Sequence, residues 1–188
     1  MYVDREPNGA QPIGGYTANF TEFAQGGFDI GSFRLPYLVI YAALATIFMW
    51  VLWNKTRFGK NMFAVGGNPE AAIVSGVNIK KTLIGVYTLA GVMYGLAGTL
   101  EAARIGTATN NTGNMYELDA IAACVVGGVS FTGGIGKIGG VIIGVLMFQI
   151  ISYGLNFSSV SPYWQYIIKG LIIIAAVAID TRKYLKKN

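Results

Sequence analysis

Pro36 to Trp53, PYLVIYAALATIFMWVLW, runs for 18 residues without a charged side chain. As a helix rising 1.5 Å per residue it covers about 27 Å, close to the roughly 30 Å hydrocarbon core of a bilayer. Tyr37 and Tyr41 stand at one end, Trp50 and Trp53 at the other, where interfacial aromatics belong. Such a run permits a membrane span or a deeply buried helix. Composition decides between them: 53% of the residues are hydrophobic and 12% charged, against about 25% charged in a soluble domain. The expectation is an all-α polytopic membrane protein.

Four further stretches extend the pattern. Thr82–Leu100 carries Gly91 and Gly95 at the GxxxG spacing that allows close helix approach. Residues 118–136 are apolar first and glycine-rich later, an irregular crossing and a candidate pathway wall, since irregular backbone at membrane depth must line a cavity or be buried in protein. Ile138–Leu155 follows, with Gly136, Gly140 and Gly144 in a ladder and Gln149 at mid-run. The last is Gln165–Ile179, where Lys169 near the outer end reads as snorkelling to the interface.

Charge orients the set. The interval 54–81 holds Lys55, Arg57, Lys60, Lys80 and Lys81 against Glu70, and the tail holds Arg182, Lys183, Lys186 and Lys187. Both belong on the cytoplasmic side by the positive-inside rule. Residues 1–35 and 101–119 are richer in acids than bases and are expected outside, 1–35 as a loop or small surface segment without strong periodicity. Five crossings, N-outside and C-inside, satisfy every placement.

Several chemistries are excluded. There is no histidine, and Cys124 is the single cysteine, so histidine catalysis, intrachain disulfides and thiolate metal clusters have no residues to use. No metal or cofactor is expected. The net charge of +5 lies at the edges of apolar runs, a pattern of membrane orientation and not of nucleic-acid binding. The stretch FTGGIGKI (131–138) imitates a phosphate-binding loop but has Phe131 where glycine is needed and Ile138 where Ser or Thr is needed. No nucleotide site is evident, and no nucleophile, base and orienting group occur together.

Within 54–81, Gly66-Gly67-Asn68-Pro69-Glu70-Ala71-Ala72 predicts a tight turn and then a helix of about two turns. Asn68 suits the N-cap, Pro69 the first turn, Glu70 the positive end of the dipole and Gly76 the stop. In the outer loop, Asn110, Asn111, Tyr116, Glu117 and Asp119 offer hydrogen-bonding groups to a polar solute, and Gln149 at mid-run reads as bonding to a neighbouring helix or, second, to the solute. Asp119 also reads as the N-cap of the next helix.

Two motifs, RFGKNMFAVGGNPEAAIVSGVN and YELDAIAACVVGGVSFTGGIGKIGG, followed by the last apolar run and basic tail, resemble permease subunits of bacterial ABC sugar importers of the ribose, arabinose, xylose and galactose type, nearest their galactoside branch. The resemblance implies a multi-pass inner-membrane subunit that pairs with a second permease copy. It implies two ATPase subunits on the cytoplasmic side and a periplasmic sugar-binding protein as partners. It makes Gly66, Gly67, Asn68, Glu70, Ala71, Ala72, Ser75 and Gly76 the coupling element that docks into the ATPase, and loop 101–119 the place of sugar handover. Permeases of this kind are much longer, so the chain is expected to be a C-terminal half. A passive solute channel, or a remnant that no longer transports, are the alternatives.

Overall fold

The apolar runs become helices because only a helix satisfies every backbone polar group inside one segment. The computed structural model describes residues 12–31 and 33–185, and its eight helices account for most of them. Asp4, Arg5, Glu6, Lys186 and Lys187 lie outside the described residues. Among the described residues, three helices are long and apolar enough to cross a membrane: Tyr37–Lys55, Ile79–Ile105 and Ile138–Phe157. The helix Pro162–Leu185 contains a shorter apolar stretch, Pro162–Ala178.

The chain divides into two units. One combines residues up to Val51 with Leu83–Asn114. It opens with β1 (Ile13–Gly14), α1 (Ala18–Gln25) and a hairpin of β2 (Gly27–Ile30) with β3 (Phe33–Pro36). These lead into α2 (Tyr37–Lys55). The described part of 1–35 thus carries short elements whose structure depends on distant partners. β1 pairs antiparallel with β4 (Thr107–Ala108), and Gln25 Nε2 donates to the Arg104 carbonyl at 3.0 Å. Tyr41 stacks on Phe23 at 4.9 Å and donates its hydroxyl proton to the Phe23 carbonyl at 3.1 Å.

The other unit combines Leu52–Thr82 with Met115 onward. In chain order it contains α3 (Arg57–Gly67), α4 (Pro69–Val74) and the start of α5 (Ile79–Ile105). After Met115 come α6 (Tyr116–Val126), α7 (Ile138–Phe157) and α8 (Pro162–Leu185). Helix α6 runs antiparallel to α7 with almost no space between the backbones. A Cβ on Gly140 would overlap the Gly127 carbonyl, and one on Gly144 would overlap that of Ala123. Ala122, Ala123 and Phe148 form the small core, with Ile173 of α8 packed on it. The ladder expected at Gly136, Gly140 and Gly144 thus has its partner in α6 for the last two members, while Gly136 packs on Val129. Gly91, Gly95 and Gly98 on α5 have nothing within 4 Å.

Candidate functional site: a capped corner and a partly buried ion pair

The basic interval holds more structure than a turn and one helix. Gly66 and Gly67, expected in a tight turn, form the last turn of α3. Thr56 caps that helix, accepting from Gly59 N at 3.1 Å while donating to the Leu52 carbonyl at 2.6 Å. Glycine is required at position 59, where a Cβ would overlap the Leu52 and Trp53 carbonyls, and the helix runs through it despite its low propensity. Tertiary packing overrides local preference at this point.

Helix α4 forms where the residues predict it. Asn68 Oδ1 accepts from Ala71 N at 3.0 Å, Pro69 occupies the first position and Glu70 lies in the first turn. Gly76 ends the helix in the left-handed region, φ +79°. Its N–H reaches the Ile73 carbonyl and that of Val77 reaches Ala72, both at 2.9 Å, the paired bonds of a Schellman stop. Ser75 Oγ donates to the Ala71 carbonyl at 2.9 Å, and Asn78 Oδ1 accepts from Lys81 N at 2.9 Å to open α5. Ala72 is buried, while Ile73 and Val74 are 60% and 89% exposed. Reasoning from the residues missed those two side chains, although they are the most apolar pair in an otherwise polar segment.

The corner between α3 and α4 rests on the glycine loop between α6 and α7. A Cβ on Gly66 would come within 2.8 Å of Gly134 N, and one on Gly134 within 2.5 Å of Gly67 Cα. Gly133 and Gly134 both have positive φ, +93° and +69°, which glycine alone adopts without strain. Ser130 steadies the loop: its N–H reaches the Ile135 carbonyl at 2.9 Å and its Oγ meets Thr132 Oγ1 at 2.9 Å. Beside this contact is an open cleft of about 360 Å³ lined by Phe63, Gly127, Gly134, Ile135 and Lys137. The TGG of the false P-loop is therefore a backstop for the corner. The repeated GG pairs were the signal that could have shown it.

The second group of candidates divides. Asn110 and Asn111 belong to the turn after β4, in the first unit. Glu101, expected in the outer loop, is still within α5 and pairs with Arg104 at 2.7 Å. Tyr116 and Glu117 open α6 with exposed side chains, and Gln149 is exposed on α7. Asp119 is not the N-cap: Met115 holds that position, and Asp119 lies within the first turn. Nor does Lys169 snorkel. Helix α8 begins at Pro162, three residues earlier than expected, and Lys169 is turned onto Asp119. Its Nζ donates to Oδ2 at 2.8 Å and lies 2.7 Å from Oδ1, which is buried and takes no directed hydrogen bond. The Phe148 ring centroid is 5.6 Å from Nζ. The Lys169 side chain is 13% exposed and that of Asp119 33%. Pairing with a carboxylate and an aromatic face removes the need to reach the interface. At the turn from α7 to α8, Gln165 is buried and donates to Asn156 Oδ1 and the Val160 carbonyl, at 3.1 and 2.9 Å. Among the described residues, no cluster of three or more His, Cys, Asp or Glu could hold a metal.

Related proteins share this sequence over most of the chain. The galactose/methyl galactoside import permease protein MglC of Haemophilus influenzae is 64% identical over 96% of this chain and 54% of its own length. Its namesake in Escherichia coli K12 is 63% identical over the same shares. The ribose import permease protein RbsC of Bacillus subtilis is 41% identical over 92% of this chain and 53% of its own. The chain thus spans about half the length of these relatives. No solved structure matches it. The family model of the branched-chain amino acid transport system / permease component matches residues 2–177, and to that permease family the chain belongs.

Proposed function

We propose that the chain is part of the membrane-spanning permease of an ATP-driven importer, carrying galactose or a methyl galactoside across the bacterial inner membrane. Hydrolysis takes place in separate ATPase subunits, a periplasmic sugar-binding protein delivers the substrate, and a second permease copy completes the passage. The sugar follows from the 63–64% identity to permeases named for it.

The observation that carries the coupling role is α4. It is six residues long, capped at both ends, and follows directly on the last turn of α3, which packs on the glycine loop, yet it presents Ile73 and Val74 outward. A short rigid helix with an exposed apolar tip suits insertion into a partner and transfers a push without bending. Asn68, Glu70, Ala71, Ala72, Ser75 and Gly76 build that helix and its ends, and Gly66 and Gly67 join it to α3; these eight are the proposed coupling residues. The proposed topology has five crossings, N-outside and C-inside, by α2, α5, α7, α8 and the irregular stretch that contains α6. Asn110, Asn111, Tyr116, Glu117, Asp119 and Gln149 are proposed pathway or handover residues.

Reconstitution with ATPase and binding protein in liposomes tests this reading. The expected outcome is ATP hydrolysis stimulated by D-galactose, with uptake. Flux without ATP would favour a passive channel, and failure to associate with an ATPase would refute the proposal. Glu70→Ala should separate hydrolysis from uptake while leaving helix content unchanged.

A further inference from the structure

Helix α7 measures depth. Its 20 residues cover about 30 Å, the full hydrocarbon core. Gly127, at the C-terminal cap of α6, lies against Gly140, and Ala123 against Gly144, so each turn back along α6 is a turn forward along α7. One more turn brings Asp119 level with Phe148, and the position of Lys169 over that ring agrees. Phe148 is near the middle of α7. Helix α6 therefore begins inside the span, with Tyr116 and Glu117 about 10 Å short of the level of Phe157.

Glu117 is exposed and makes no ion pair among the described residues. A carboxylate at that depth is costly against lipid and must face water or protein. Asp119, one half-turn on, is already neutralised by Lys169. That pair fixes the opening turn of α6 to α8 and so sets the direction of the residues before it. Tyr116 is adjacent and 52% exposed, giving a ring face beside a hydrogen-bond acceptor.

We propose that Tyr116 and Glu117, held in place by the Asp119–Lys169 pair, line a water-filled station inside the span that takes a neutral polyhydroxylated solute. The Glu117 carboxylate accepts from hydroxyls, and the Tyr116 ring covers the C–H face of the solute. The inference rests on the permease reading above.

Thiol accessibility tests it. Cys124 is the single cysteine, so Cys124→Ala supplies a clean background. Glu117→Cys and, at the same level of α7, Ile150→Cys (71% exposed in the wild type) are made in the whole chain, in membranes with its ATPase. A charged methanethiosulfonate reacts with the hydrated thiolate. Position 117 should react about tenfold or more faster than position 150, and D-galactose, added well above the KM expected once the carboxylate is gone, should slow it several-fold. Equal rates would overturn the hydrated station. Fast reaction that L-arginine slows and D-galactose does not would overturn the ligand class. Glu117→Gln supplies a second measure where the cysteine variant folds poorly: KM for galactose should rise about tenfold with protein level unchanged. An unchanged KM overturns the contact. Loss of ATPase association in the parent chain would instead strike the permease reading and leave the labelling result standing.

Discussion

Asp119 and Lys169 show how a partner 50 residues away changes what a charge means. Each had a sensible local explanation, a helix cap and a snorkelling lysine, and neither holds because the two charges satisfy each other. Removing one leaves the other uncompensated. Asp119→Asn or Lys169→Met should each destabilise the chain by about 3 kcal/mol in mixed micelles, at the low end for a buried pair because Asp119 is partly open. The exchange Asp119→Lys with Lys169→Asp should recover most of that loss; equal damage from the double variant would contradict pairing as the cause. Asn68 is the opposite case, a residue whose role is local. Asn68→Ala removes the bond to Ala71 N and should cost α4 about 1 kcal/mol, visible as faster hydrogen exchange at Ala71 and Ala72 with α7 amides unchanged.

At the scale of elements, what could be read from the residues depended on how far each element's cause lies along the chain. Helix α4 was legible because its cap, proline, acid and stop lie within nine residues, Asn68 to Gly76. Helix α3 was not, because Gly59, Gly66 and Gly67 argue against a helix and only the approach of Leu52, Trp53 and the 133–134 loop explains them. The pairing of β1 was not legible for the same reason, since it finds its partner at Thr107 and Ala108. The glycines can be separated by experiment. Gly134→Ala places a Cβ against Gly67 at a positive φ and should destabilise the corner by about 1–3 kcal/mol, with sugar uptake falling before ATPase binding does. Gly91→Ala meets open space on α5 and should change the stability of this chain by no more than about 1 kcal/mol. Thermal unfolding of both variants in detergent checks the contrast.

For the whole molecule, hydropathy was the most legible quantity. Three of the apolar runs are helices of spanning length, and their ends differ from the expected ones by zero to five residues. The irregular stretch 118–136 is a helix of 11 residues, Tyr116–Val126, and then a glycine loop. Its shortness was legible; its use of Gly133 and Gly134 to back the corner was not, because that contact joins residues nearly seventy positions apart. A reporter fused after Asn188 should be cytoplasmic, and an external reporter would contradict the five-crossing arrangement. The coupling role itself is best examined at Val74, 89% exposed at the end of α4. A photoactivatable benzophenone is attached to Val74→Cys in the Cys124→Ala background, in membranes that also hold the ATPase subunit. Tyr163→Cys, near the start of α8, serves as the control. The predicted result is a chain–ATPase adduct from position 74 and none from 163. An ATPase that co-purifies with the chain but gives no adduct from position 74, or one from 163 instead, would contradict docking at α4.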